Sequence, residues 1–213
     1  IAKIFLEDPL PPKGQVTIST PFRVKIPNGN ISRLGHVGES FQITQWYPKP
    51  AVYDTAGWHQ MPYLTQGEFY SEFGSFDVFI EIPKNYVVGA TGDLQTVSEI
   101  VWLNEKIEET KQWFVDYEKL SDKSEAHKIM EFPASDSEFK ILHFHQDKVH
   151  DFGWFADKRY RVLKGSVGLP NSTDSVDIWT MFTNKRANLW KNSLEYMHDA
   201  VYYYSLWNGN YPY

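Results

Sequence analysis

Histidine has the widest chemical reach of the residue types in this sequence, and seven are present: His36, His59, His127, His143, His145, His150 and His198. Three lie close enough to meet. His143 and His145 alternate along one strand-like run and share a face, and His150-Asp151 opens the run that follows. Three imidazoles gathered in that way hold a transition metal. The plainer and weightier alternative is that they line a polar strand face. No His-Glu-x-x-His pair exists, so the helical zinc-peptidase signature is missing from the chain. Glu195, His198 and Asp199 share a helical run and offer two carboxylates for acid–base work. Their spacing fits a solvated helix face better. No Gly-x-Ser-x-Gly elbow is present, and Gly35-x-x-Gly38 lacks the strand–helix context of a phosphate loop. Asn171-Ser172-Thr173 matches a glycosylation acceptor, a triplet common by chance.

The densest feature runs from Trp46 to Tyr70. It holds Trp46, Tyr47, Tyr53, Trp58, Tyr63, Phe69 and Tyr70, interleaved with proline and glycine and accompanied by Asp54, His59 and Glu68. The stretch is too rich in Pro and Gly for a plain strand. A binding loop that presents aromatic faces to a sugar or peptide, and a structured loop that seals a sheet edge, are equally supported.

The surrounding elements are mostly strands. Val16–Ser19, Phe22–Ile26, Phe41–Trp46, Phe76–Ile82 and Tyr86–Ala90 alternate or run apolar between Gly, Pro and Asn breaks. That punctuation predicts an antiparallel β-sandwich rather than βαβ units. Near residue 96 the period changes. Thr96-Val97-Ser98-Glu99 has capping-box spacing, and Leu103, Ile107, Phe114, Tyr117 and Leu120 recur helically, which predicts a helical insertion over 97–120. Residues 139–145 read as a strand, with 149–156 as its partner. A polar connector follows over 165–173, then a strand at 177–182. Ala187, Trp190, Leu194, Met197, Val201 and Tyr204 mark a long C-terminal helix, started by Asn184 and stopped by Gly209. The expected fold is therefore mainly β, with a boundary near 170. Residues 1–170 make the β domain, and 171–213 open a second domain with a strand and a helix.

Length and composition narrow the function classes. A chain of 213 residues buries roughly 70% of its unfolded surface and needs no covalent staples. Cysteine is absent, which removes disulfides, thiolate catalysis and iron–sulfur ligation. A net charge of -6 argues against a nucleic-acid surface. No apolar run reaches the ~18–20 residues of a membrane span. The chain opens at Ile1 without Met and closes on Tyr211-Pro212-Tyr213, which points to a piece of a longer polypeptide.

Several segments in a fixed order carry a resemblance. Gln45-Trp46-Tyr47-Pro48-Lys49-Pro50-Ala51-Val52-Tyr53-Asp54, Gly57-Trp58-His59 and Gly67-Glu68-Phe69-Tyr70 are followed by Phe76-Asp77-Val78 and by Val88-Gly89-Ala90-Thr91-Gly92. Later comes Val149-His150-Asp151-Phe152-Gly153-Trp154-Phe155-Ala156-Asp157. Together they resemble the N-terminal domain of a bacterial subgroup of aminopeptidase-N-like zinc metallopeptidases, the gluzincins. The likeness covers most of the chain from about residue 20 and is weakest over 97–138. The C-terminal helix resembles the start of that family's catalytic domain.

The resemblance implies a saddle-shaped, non-catalytic β domain that packs on a thermolysin-like catalytic domain and shapes its substrate entrance. Zinc, its ligands and the general base would belong to that catalytic domain of the same polypeptide, so this chain carries no cofactor and no catalytic residue of its own. In the family an amide or carboxylate shortly after a Thr-Gln pair helps to hold the free amine of a peptide substrate. Thr44-Gln45 matches the pair, but the residue two beyond Gln45 is Tyr47, which has neither group. Gln45 is the substitute and Glu68 a weaker one, with loop structure the weightier reading for all three. Export from the cytoplasm is also what the resemblance implies. Two rival readings stay open. One is a carbohydrate-binding module using Trp46, Trp58 and Tyr63. The other is a structural interaction domain. The apolar stripe of the C-terminal helix predicts self-association.

Overall fold

A computed structural model describes residues 1–29, 33–62, 64, 69–124, 126, 128 and 130–213. Eleven strands and three α-helices are assigned among them. β1 (Gly35–Val37), β2 (Ser40–Ile43), β9 (Trp154–Asp157) and β6 (Val87–Ala90) form one sheet in the order β1-β2-β9-β6. β5 (Gly74–Pro83), β8 (Phe139–Val149) and β7 (Asp93–Leu94) form a second in the order β5-β8-β7. β3 (Val52–Asp54) pairs with β4 (Gly57–His59), and β10 (Arg161–Gly168) pairs with β11 (Ser175–Phe182) across the turn that holds residue 170. Every ladder is antiparallel.

Alternation decides which face each strand buries. On β5 and β8, Ile80, Ile82, Leu142 and Phe144 point into one core, which they share with Val88, Phe152 and Ala156 from around the first sheet. The other β8 face carries Phe139, Ile141, His143 and His145, as the alternation predicts, and is exposed or half-buried. β6 contributes to two cores, because its neighbouring residues face opposite ways. Val88 enters the first core, while Val87 joins Leu103 and Ile107 of α1 (Val97–Lys119) and Val162 of β10.

Helix α1 occupies the predicted span and is held to the sheets at two points. Thr110 is buried; its hydroxyl donates to the Lys106 carbonyl at 2.8 Å and accepts the Val162 N–H at 3.0 Å. Near the N-terminus of α1, Glu99 is buried and pairs with Lys140 of β8 at 2.6 Å, and the ammonium lies 3.9 Å from the Trp102 ring centroid. The capping box therefore does not form. The Thr96 hydroxyl accepts the His143 N–H at 2.9 Å instead of capping the helix, and Glu99 is committed to Lys140. Tertiary partners outcompete the local cap here.

Four sequence expectations change in other ways. Residues 16–19 and 22–26 join no ladder, because an alternating pattern makes a strand only where a neighbouring edge accepts its backbone. The segment after β8 does not pair with it: β9 lies between β2 and β6. The connector at 165–173 begins inside β10. The C-terminal helix is interrupted. A 3-10 turn at Asn184–Arg186 leads into α2 (Ala187–Trp190), and α3 (Ser193–Asn208) starts after Asn192, whose ψ of 17° is not helical. Leu194, Met197 and Val201 are half-buried, but Tyr204 is 69% exposed, since the stripe steps by four to the buried Ser205. No helix among the described residues is long and apolar enough to cross a membrane.

Candidate functional site

The segment that follows β2 positions the sequence-predicted residues. Ile43 is buried and fixes the end of the strand. The backbone then turns sharply at Gln45, whose φ is +55°, a left-handed conformation that costs a non-glycine residue on the order of 1 kcal/mol. The turn sends Trp46 and Tyr47 across the open end of the first core. The Trp46 indole N–H donates to the Phe152 carbonyl at 3.0 Å. The Tyr47 ring meets Trp46 and Phe76 edge-on, with centroids 5.3 and 5.7 Å away.

Asp151 is the polar centre of this arrangement. One carboxylate oxygen accepts the Tyr47 hydroxyl at 3.1 Å and the Phe152 N–H at 2.8 Å, and the other lies 2.6 Å from the Lys49 ammonium. Lys49 also sits 5.5 and 5.7 Å from the ring centroids of Tyr47 and Phe69. Burial, and then the Asp151 charge, push the Tyr47 phenol well above its ordinary value, so it remains a neutral donor. Asp151 has donors on both oxygens and is a structural anchor rather than a free base.

Beside this anchor lies a cleft of about 650 Å³. Thr44, Thr91, Asp151 and Gly153 supply its polar side, with Trp179 and Met181 of β11 among its apolar lining. Thr91 and Gly153 satisfy one another: the Thr91 N–H donates to the Gly153 carbonyl at 3.0 Å, and the Gly153 N–H to the Thr91 hydroxyl at 3.1 Å. Gly89 leaves room for the opposite wall, because a Cβ there would come within 2.9 Å of the Met181 sulfur. Gln45, adjacent to Thr44, keeps its side-chain carbonyl buried and without a donor among the described residues. An unpaired buried carbonyl costs about 1–3 kcal/mol, which an incoming N–H donor offsets. The cleft presents hydroxyl, carboxylate and backbone groups beside an apolar wall.

Of the sequence-predicted residues, Tyr47 meets Asp151, Gln45 follows the cleft-lining Thr44 in the chain, and Glu68 lies outside the described residues, as do Tyr63 and His127. Lys49 and Asp151 are the partners that sequence reasoning passed over. Nothing local signals that Asp151 meets a tyrosine 104 positions earlier.

The histidines part company. His143 and His145 share one oxygen of Asp77, at 2.7 and 3.0 Å, and His145 lies 3.6 Å from Asp147. Hydrogen bonding to Asp77 raises the His145 pKa and lowers that of Asp77. His150 sits apart, edge-on to Phe73 at 5.5 Å between centroids. Among the described residues no group of three metal-ligating side chains has metal-binding geometry. Glu195, His198 and Asp199 are exposed on α3. Trp46 is folded against the core cluster, whereas Tyr53 and Trp58 are 66% and 65% exposed, with centroids 4.9 Å apart across the β3–β4 hairpin.

Comparison with protein-family models, with curated proteins and with solved structures finds no match to this chain.

Proposed function

We propose that this chain is the non-catalytic N-terminal region of a zinc metallopeptidase resembling aminopeptidase N. In this reading its antiparallel sheets form a saddle-like sandwich over residues 1–170. That sandwich packs on a catalytic domain of the same polypeptide, which residues 171–213 begin. The Thr44–Lys49 segment forms one lip of the substrate entrance, and Gln45 offers its carbonyl to the substrate's ammonium. Zinc belongs to the catalytic domain; the described donor set does not fit it, since His143 and His145 are tied to Asp77 and His150 packs on Phe73.

One observation supports this reading above the others. Two stretches of the resemblance, 45–54 and 149–157, pack on one another through Trp46–Phe152 and Tyr47–Asp151, beside a cleft. Residues far apart in sequence that build one lip are what a shaped entrance needs. Metal analysis and aminopeptide hydrolysis on one purified sample test the non-catalytic part. Zinc far below one ion per chain and no turnover are expected. Stoichiometric zinc with turnover lost in His143→Ala would overturn it.

A second reading, a carbohydrate-binding module, is favoured by the exposed Tyr53–Trp58 pair. Sugars stack on such faces. Titration of neutral sugars with tryptophan fluorescence, in the chain and in Trp58→Ala, separates it from the first.

A further inference from the structure

Two unsatisfied features of the chain complement each other. The first is the outer edge of β5. This ten-residue strand pairs with β8 on one side, and among the described residues no strand or backbone hydrogen bond borders the other. An open edge offers a row of free N–H and C=O groups to any incoming strand. Natural edges are commonly guarded by lysine, proline or a bulge; β5 has an irregular register at Gly74–Phe76 and Pro83 at its far end, and residues 76–82 between them contain neither lysine nor proline. Phe76, Val78, Ile80 and Ile82 turn toward the core, and Asp77, Phe79 and Glu81 turn outward.

The second feature is the arm that precedes β1. Phe22, Val24 and Ile26 alternate with Arg23 and Lys25, yet the arm joins no ladder. Arg23 and Lys25 form no ion pair with a described residue, and Phe22 and Val24 are 49% and 40% exposed. Two contacts with other described residues hold it where it is. The Phe22 ring lies 6.0 Å from that of Trp46, and Asn28 bridges to His36 of β1, in a different sheet from β5.

We propose that residues 22–26 of one copy add as a strand to the β5 edge of a second copy, and that the exchange is reciprocal. Each copy then gives one strand and receives one, which closes a two-fold dimer and leaves neither feature unmet. The side chains agree with the backbone. With Val24 opposite Val78, the arm's apolar residues continue the inward face of β5. In the antiparallel register Lys25 falls opposite Asp77, and Arg23 falls opposite Phe79, one diagonal step from both Asp77 and Glu81. In the parallel register Arg23 falls opposite Asp77, and Lys25 is one diagonal step from both acids. Cross-strand pairs of opposite charge are favourable in either case. The inference is independent of the peptidase reading.

The absence of native cysteine makes the test specific. Purified Arg23→Cys and Phe79→Cys chains are mixed and treated with a short bis-maleimide, and untreated chain is followed by sedimentation over a concentration series. A concentration-dependent dimer and a cross-link between the two variants are expected. Both should be lost in Val24→Pro, which removes a strand donor from an exposed segment that the core does not need. A monomer at every concentration overturns the proposal. So does a dimer that survives Val24→Pro without the cross-link, which would place association elsewhere, such as on α3. A cross-link formed only within a doubly substituted chain also overturns it, because the arm would then serve its own edge.

Discussion

The hydroxyl of Tyr47 donates to the carboxylate of Asp151 at 3.1 Å, and this contact joins the segment after β2 to the loop before β9. Tyr47→Phe removes one hydrogen bond but leaves Asp151 its contacts with Lys49 and the Phe152 N–H. The expected loss is about 1 kcal/mol. Asp151→Ala strands all three donors and costs about 2–3 kcal/mol. Urea unfolding midpoints at constant m-value measure both. Equal losses would mean that the phenol, rather than the carboxylate, organises the lip.

The Glu99–Lys140 pair gives a sharper test of packing. Its side chains are 6% and 12% exposed, so neither charge is well hydrated. Burial is the leading influence on both groups: it raises the Glu99 pKa and lowers that of Lys140. Lys140→Met alone leaves a buried carboxylate unpaired and costs about 3–5 kcal/mol. Adding Glu99→Met recovers most of that loss, because the desolvation of both charges disappears together. Denaturation of the two single variants and the double variant closes the cycle. Additive losses would contradict this account.

The Asp77–His145 contact predicts a pH window. His145 titrates above its ordinary 6.5, so its contribution is complete below 6.5 and is lost as pH rises through the higher folded value. The His143 hydrogen bond first, and then that of His145, hold Asp77 below its ordinary 3.8, so its contribution is complete above 3.8 and fades as pH falls through the lower folded value. The contact therefore stabilises most between those limits. Both groups are exposed, and the effect on unfolding is small. In an NMR titration the His145 ring should titrate above 6.5 and move down in Asp77→Asn. An unchanged midpoint would show that the ion pair does not persist in solution.

How much was legible in the sequence varies by element. Alternation in Phe76–Ile82 and Phe139–His145 revealed β5 and β8 and, for the latter, the division of its residues between two faces. Leu103 and Ile107 did the same for α1. Phe22–Ile26 alternates just as well and makes no strand, since pairing depends on a partner that the pattern does not name. Gly165 hid β10 behind a loop-like composition, and its pairing with Ile178 shows that a glycine within a strand can still keep its ladder. At the site, the sequence named Gln45 and Tyr47 only through the resemblance. The meeting of Tyr47 with Asp151 was not legible, because it arises from packing between distant segments.

The central claim is that the lip built by Gln45 and its neighbours receives the free amine of a peptide. The most direct measurement is an NMR titration of the isotopically labelled chain with leucinamide and, separately, with N-acetyl-leucinamide. The account predicts that leucinamide shifts the Gln45 side-chain amide together with the Thr44 and Gly153 backbone amides. The acetylated compound should leave them in place, and Gln45→Leu should abolish the response. Identical shifts from both compounds, or none from either, would contradict it.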